Sequence, residues 1–451
     1  MLTVLGILLF VVGLAFSIWF HELGHFIWAR RFGMRVTQFM VGFGPTLWSK
    51  RLGETEHGIK AVPLGGYIRI VGMMPPGEED LTGKKVGRLR QLVEEVRGAS
   101  LLDIRPEDGD RVFYRKPWWQ RVIVMSAGPA HNLVMAFVLF TIILVGFGIP
   151  GPPTTTVDTI SECVLPVTAS QQADCGTTVN PEGQLCEAGP DCALPISSPA
   201  REAGFRPGDR IVAIDGQPRE SWDAVRNVIR DNPGTALTVT VFRDGAEVDL
   251  TVTPLPNQVY ADDTGESPET VTVGFLGLGP TQPYVSQPIT SVPGQMGSFI
   301  AEAAVRLAGI PERVPQLFRA AFLGEERDVQ GPIGVVGVGR ISGETFGLPS
   351  SEAPVKVKIL FFLGLLASLN MVLFLFNLVP LYPLDGGHVA GALWEKGRSV
   401  VARLRKKPDP GPFDTARLMP VAYVVASLFI VLSGLLLVAD IVNPITLEQL
   451  Q

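Results

Sequence analysis

Four long apolar stretches, at about 2–28, 122–149, 358–384 and 418–443, constrain this chain more than any other feature. Each exceeds the roughly 20 helical residues needed to cross a hydrocarbon core about 30 Å thick. They account for a composition with 46% hydrophobic and only 18% charged residues. Lipid offers backbone groups no hydrogen bonds, so such runs predict transmembrane helices rather than other structure. The first stretch has no basic amino end and no small-residue cleavage site before His21. It therefore reads as a retained span, not a signal peptide.

Basic residues predict the orientation. Arg30, Arg31, Arg35, Lys50 and Arg51 follow the first stretch, and Arg115, Lys116 and Arg121 lead into the second. Lys396, Arg398, Arg403, Arg405, Lys406 and Lys407 lie between the third and fourth. Both connections are expected on the cytoplasmic side. The acidic middle segment, about 150–356, and both termini are then outside. All four cysteines, Cys163, Cys175, Cys186 and Cys192, fall in that segment. In an oxidising compartment they predict two disulfides, with the three possible pairings left open. A zinc site on them is disfavoured, since there is no Cys-x-x-Cys pair and no nearby histidine.

The chemistry begins where the first apolar run ends, at His21-Glu22-Leu23-Gly24-His25. Positions i and i+4 share a helix face, so both imidazoles can reach one metal with Glu22 beside them. Ionisable groups at membrane depth are costly and point to function. A second motif stands near the end of the third run: Asn377-Leu-Val-Pro380-Leu-Tyr-Pro383-Leu-Asp385-Gly386-Gly387-His388. Its prolines and glycines break a helix where lipid cannot satisfy the freed backbone, so the break must line a cavity or be buried in protein. Asp385 is placed there as a hard oxygen ligand. Two imidazoles and a carboxylate leave a fourth tetrahedral position open, as in catalytic zinc sites. His131 and His388 are expected to be structural, and His57 a solvated loop residue.

The connecting segments read as follows. Residues 36–71 are rich in glycine and β-formers and predict short paired strands with bends at Gly65-Gly66, which either offer an edge to an extended peptide or only cap the protein. Met73 to Arg115 is polar and charged and predicts a flexible or lightly structured insert. Ser198–Gly204 suggests a short helix, Asp209–Gly216 a strand and tight turn, Trp222–Asp231 a helix and Leu237–Val252 a hairpin turning at Asp244-Gly245. Met296–Leu307 and Val314–Leu323 have amphipathic helical spacing suited to the outer membrane surface.

The order of elements around Ala203-Gly-Phe-Arg-Pro-Gly-Asp-Arg-Ile211 resembles a PDZ domain of the bacterial protease type. His-Glu-x-x-His, Asn-x-x-Pro with Leu-Asp-Gly-Gly, and a PDZ-like domain between them resemble the site-2 protease family of intramembrane zinc metalloproteases. The regulator-of-sigma-E branch is the most similar. Pro63-Leu-Gly-Gly-Tyr67 resembles that family's membrane-re-entrant β-loop, and Ala127-Gly-Pro-Ala-His-Asn132 its second-span signature. Many relatives have a second proline where this chain has Tyr382; here it comes one residue later, at Pro383. There is also one PDZ-like module rather than two.

The resemblance implies a polytopic α-helical membrane protein of about four transmembrane helices, with a membrane-associated β-loop and an extracytoplasmic α+β PDZ-like domain. The expected divisions are a first span 1–28, a cytoplasmic loop 29–121 containing the β-region 36–71, and a second span 122–149. A cysteine-bearing insert 150–195, the PDZ-like domain 196–256 and an elbow region 257–356 follow. The third span 357–387, a basic cytoplasmic loop 388–417 and the fourth span 418–443 complete the chain. The resemblance further implies one zinc ion per chain on His21, His25 and Asp385, with Glu22 as the general base. Asn377, Pro380, Pro383, Gly65, Gly66 and Tyr67 would contact substrate. The implied enzyme sits in a bacterial inner membrane and cuts single-span membrane proteins already trimmed outside by another protease. Anti-sigma factors and remnant signal peptides are the implied substrates, and no nucleic-acid partner is expected. A transporter would show more spans and repeated halves, and a silent PDZ scaffold would not need every ligand in place.

Overall fold

The computed structural model describes residues 2–76, 88–165, 169, 173–181, 183–186, 192–260, 270–329, 331–349, 353–447 and 449. It divides into two compact units, Met1–Phe147 with Gln287–Gln451, and Gly148–Ser286.

The first unit opens with helix α1 (Leu2–Arg31), apolar to Phe20 and then bearing the His-Glu-Leu-Gly-His run. Strands β1 (Val36–Leu52) and β2 (Thr55–Ile70) form one antiparallel hairpin. Both strands bend, and residues 38–41 of β1 pair with 66–69 on one side and 56–59 on the other. The last stretch of β2 is thus an edge. The far end of the hairpin leaves Phe43, Leu47, Trp48 and Ile59 exposed.

The expectation of a loosely structured segment 73–115 is corrected from residue 88 onward; residues 77–87 lie outside the described residues. Helix α2 (Arg88–Leu101) and two 3₁₀ turns, Pro106–Arg111 and Phe113–Arg115, occupy it. Partners distant in sequence hold it there. The buried Arg35 guanidinium grips Asp108 at 2.6 and 2.8 Å, and Arg97 of α2 pairs with Asp414 at 2.7 Å. Helix α3 (Trp118–Thr141) then runs on through a π turn, Ile142–Phe147.

The second unit contains the cysteines, paired Cys163 with Cys175 and Cys186 with Cys192. Its short strands β3 (Ile149–Pro150) and β4 (Val157–Ile160) are followed by helix α4 (Pro199–Glu202), capped by Ser198. Strands β5 (Arg210–Ile214) and β6 (Gln217–Pro218), helix α5 (Trp222–Asp231), and strands β7 (Leu237–Arg243) and β8 (Ala246–Val252) come next. The sheet order is β6-β5-β7-β8, and alternate residues Leu237, Val239 and Val241 are buried beneath α5 beside Val225 and Ile229. Asp244 and Gly245 both have positive φ, the requirement of a two-residue hairpin turn whose twist matches its strands. The unit extends past the expected limit of 256. Strands β9 (Leu255–Tyr260) and β10 (Thr270–Phe275) pair, β11 (Leu278–Pro280) pairs with β4, and β12 (Tyr284–Val285) with β3. Sequence periodicity identifies strands but carries no record of these long-range pairings.

Asp209, 1% exposed, takes two 2.7 Å hydrogen bonds from Arg243. Burial opposes its ionisation, but the guanidinium and the Arg206 amide outweigh that and hold the carboxyl below the usual carboxylate range. A depressed folded-state pKa stabilises above the unfolded value of about 4 and ceases to as pH falls through the folded one. Asp209→Asn should therefore destabilise this unit at neutral pH by about 3 kcal/mol. Limited proteolysis of the full-length protein would show the difference from wild type closing as the medium is acidified below about pH 4.

The first unit resumes with helices α6 (Val292–Ala308), α7 (Ile310–Phe322), α8 (Val335–Gly347), α9 (Val355–Leu378), α10 (Asp385–Leu404) and α11 (Met419–Val442). Among the described residues, four helical segments are long and apolar enough to cross a membrane: Leu2–Arg31, Trp118–Phe147, Val355–Leu378 and Thr415–Val442. The expected third span, 357–387, ends as a helix at Leu378. Most of the expected loop 388–417 is helical instead, because α10 carries the chain to Leu404. Its Ala, Leu and Val at helical spacing favour that outcome over a loop.

Helix α8 is clamped at both ends by charges from other helices. Asp440 of α11, fully buried, accepts from the Gly337 amide at 2.7 Å and pairs with Arg327 at 2.8 Å. Lys358 of α9 donates to the Phe346 and Leu348 carbonyls at the other end. An anion at the helix amino end and a cation at its carboxyl end match the backbone dipole. Asp440→Ala strands the Arg327 charge, and thermal unfolding in detergent should register a loss of about 3–5 kcal/mol.

Candidate active site

The site is assembled from α1, α3 and the first turn of α10. On α1, His21 and His25 lie on one face with their Nε2 atoms 3.2 Å apart. Asp385 is the first residue of α10, and its Oδ2 stands 3.2 Å from each Nε2. The break in the chain puts it there. After α9 ends, residues 379–384 turn back and the first turn of α10 packs directly on the freed backbone. A Cβ on Gly386 would meet the Val379 carbonyl oxygen at 2.3 Å, and one on Gly387 the Tyr382 nitrogen at 2.7 Å. Only glycine permits that approach.

Helix α3 forms the third wall through residues one turn apart. The Val124 carbonyl accepts from His25 Nδ1 at 2.7 Å. Gly128 leaves the space in front of the imidazoles, since a Cβ there would lie 2.2 Å from His25 Nε2 and 2.8 Å from His21 Nε2. The fully buried Asn132 side chain stands 3.1 Å from His21 Nδ1. Gly24 lets the two helices close, for its Cβ would meet the Ala127 carbonyl oxygen at 2.4 Å. Sequence reasoning assigned no role to Val124, Gly128 or Asn132. Their spacing of four residues is the signal that could have found them.

This donor set fits zinc. Two ligand atoms about 2.0–2.2 Å from a zinc ion at the tetrahedral angle stand about 3.3 Å apart, close to the separations found. Both rings turn Nε2 inward and have Nδ1 engaged elsewhere, and Asp385 Oδ2 is buried without a hydrogen-bond partner. Among the described residues this is the one group of three or more metal-ligating side chains so placed.

Glu22, 8% exposed, lies beside Gly66 at the edge of the hairpin. A Cβ on Gly66 would meet the Glu22 Cγ at 3.0 Å. Tyr67 stacks on Phe43, and the Phe43 ring also lies against Gly65. Asn377 is not drawn into the trio; its amide donates to the Leu373 carbonyl one turn back in α9. Pro380 and Pro383 lie exposed in the break. His131 bonds to the Ala127 carbonyl, and His388 packs edge-on against Tyr382. His57 departs from expectation: it is half-buried in β2 against Phe26 and Phe39 rather than solvated in a loop.

Comparison with known proteins identifies the family. The profile of peptidase family M50 matches residues 9–407. The chain is 35% identical over 457 residues to zinc metalloprotease Rip1 of Mycobacterium tuberculosis H37Rv, covering all of both chains. It is 35% identical over 458 residues to Rip1 of Mycolicibacterium smegmatis, covering 99% of each. Metalloprotease MmpA of Caulobacter vibrioides is 28% identical over 412 residues, 86% of this chain and 85% of MmpA. With four membrane-length helices among the described residues and a zinc-fitting cluster that joins the first of them to α10, the chain belongs to peptidase family M50 and is a membrane-integral zinc metalloprotease.

Proposed function

We propose that this protein hydrolyses peptide bonds within the transmembrane segments of single-span proteins, with His21, His25 and Asp385 holding the zinc and Glu22 moving the proton. The observation that carries the reading is the 3.2 Å convergence of both Nε2 atoms of the apolar helix α1 with Asp385 Oδ2 of α10. Zinc held there acidifies a water molecule and polarises the scissile carbonyl. Glu22, next to His21 on the same helix, takes the water proton and returns it to the leaving amine.

A transmembrane helix hides its own peptide bonds, so the substrate must be extended before it is cut. The end of β2 offers an unpaired edge beside Glu22, and a substrate strand added along Gly65, Gly66 and Tyr67 would regain the backbone hydrogen bonds it gives up on unwinding. Asn377, Pro380 and Pro383 would flank that strand from the break after α9. For Asn377 to steady it, its amide must first exchange the bond to Leu373.

The basic residues of both connections favour a cytoplasmic face for 29–121 and 388–417. The disulfide-bearing unit Gly148–Ser286 and both termini then lie outside a bacterial inner membrane. Within that unit, residues 196–256 read as a PDZ-like module that captures peptide ends or excludes bulky substrates. Single-span proteins trimmed outside by another protease, anti-sigma factors among them, and remnant signal peptides are the proposed substrates. The test is incubation of purified protein with candidate single-span substrates, with and without a zinc chelator, and mapping of product ends by mass spectrometry. Chelator-sensitive cuts inside the apolar segment are expected. Cuts confined to soluble tails would refute the reading.

A further inference from the structure

The two histidines of the site differ in what fixes their protons. A neutral imidazole carries one N–H, and a ring nitrogen can bind a metal only where it carries none. His25 Nδ1 faces the Val124 carbonyl at 2.7 Å. A carbonyl only accepts, so the proton is on Nδ1 and the Nε2 lone pair is free. His21 Nδ1 has no carbonyl. Its partner is the Asn132 side-chain amide at 3.1 Å.

An amide can meet the ring with either end, and the two orientations are interchangeable in shape. With its nitrogen toward the ring, the amide donates to Nδ1 and drives the His21 proton onto Nε2. That nitrogen is 3.2 Å from both His25 Nε2 and Asp385 Oδ2, so the proton would sit where the metal belongs. With its oxygen toward the ring, the amide accepts from Nδ1–H and frees Nε2. The structure sets Nδ2 toward the ring and leaves Oδ1 at the far end buried, with no donor to hold it there. The ring makes the choice. Asn132 is also fully buried on a membrane-length helix, two turns from Val124 on the same face, and an amide in such a place is costly unless it is used.

We propose that Asn132 is a positioning residue for the metal centre, its amide oxygen accepting the Nδ1–H of His21 and so fixing the tautomer that presents Nε2 to zinc. The inference rests on His21 being a ligand. Zinc affinity of the purified full-length protein, measured by chelator competition, tests it with Asn132→Leu, Asn132→Asp and His21→Ala beside wild type.

Asn132→Leu removes the acceptor and should weaken zinc binding about 10- to 100-fold. Asn132→Asp offers only acceptor oxygens and should bind as tightly as wild type or more so. A role as donor would instead make the Asp variant fall with the Leu variant, and that result overturns the proposal. So does wild-type affinity in Asn132→Leu. An unchanged His21→Ala would instead refute the ligand assignment beneath it. A second readout needs no variant: in the zinc-free protein, ¹⁵N-histidine spectra should show neutral His21 protonated at Nδ1, and protonation at Nε2 would end the proposal.

Discussion

Glu22→Gln should retain its zinc and lose peptide-bond cleavage by at least about 10³-fold, the upper part of the range for a positioned acid–base group. The amide matches the carboxylate in size, so packing of α1 against Gly66 and the β2 edge is preserved. What disappears is the group that takes the proton from water and delivers it to the leaving amine. Glu22 is not among the three converging ligands, so the metal content should stay at one per chain. Cleavage of a single-span substrate and zinc analysis on the same preparation separate these effects. A Gln variant that cuts normally would remove Glu22 from the mechanism.

Gly128→Ala is the second large effect, and it arises from one methyl group. The added carbon would lie 2.2 Å from His25 Nε2, 2.7 Å from its Cε1 and 2.8 Å from His21 Nε2, inside the contact distance of any nonbonded atom. Helix α3 has no easy retreat, because Gly24 and the Ala127 carbonyl already hold it close to α1. The imidazoles must swing out of register with Asp385. The expected result is loss of zinc by at least about 100-fold in affinity, more than the loss of one hydrogen bond to a ligand costs, with cleavage lost alongside. Gly364→Ala serves as the control, since a Cβ on that glycine of α9 meets nothing within 4 Å. Normal zinc binding in Gly128→Ala would mean that the site lies elsewhere.

The parts of the site legible in the sequence are those fixed by local geometry. His21 and His25 share a helix face by spacing alone, and the prolines and glycines around Asp385 announce a break that lipid would not tolerate unsupported. The third wall was not legible, although the motif containing Gly128 and Asn132 was plain. Their work is done across a helix–helix contact, and nothing in Ala127–Asn132 says which helix that face meets. The ordering of residues 88–115 was missed for the same reason: Arg35 finds Asp108, and Arg97 finds Asp414, across separations of 73 and 317 residues. Cysteine composition predicted two bridges without selecting the pairing, and α10 was hidden by the basic residues that suggested a loop.

Anomalous diffraction at the zinc edge from the full-length protein is the most direct check of the central claim. One peak is expected between α1 and the first turn of α10, within about 2.0–2.2 Å of His21 Nε2, His25 Nε2 and an Asp385 oxygen. A zinc ion bound by other residues, or one that leaves Asp385 out of its coordination shell, would contradict it.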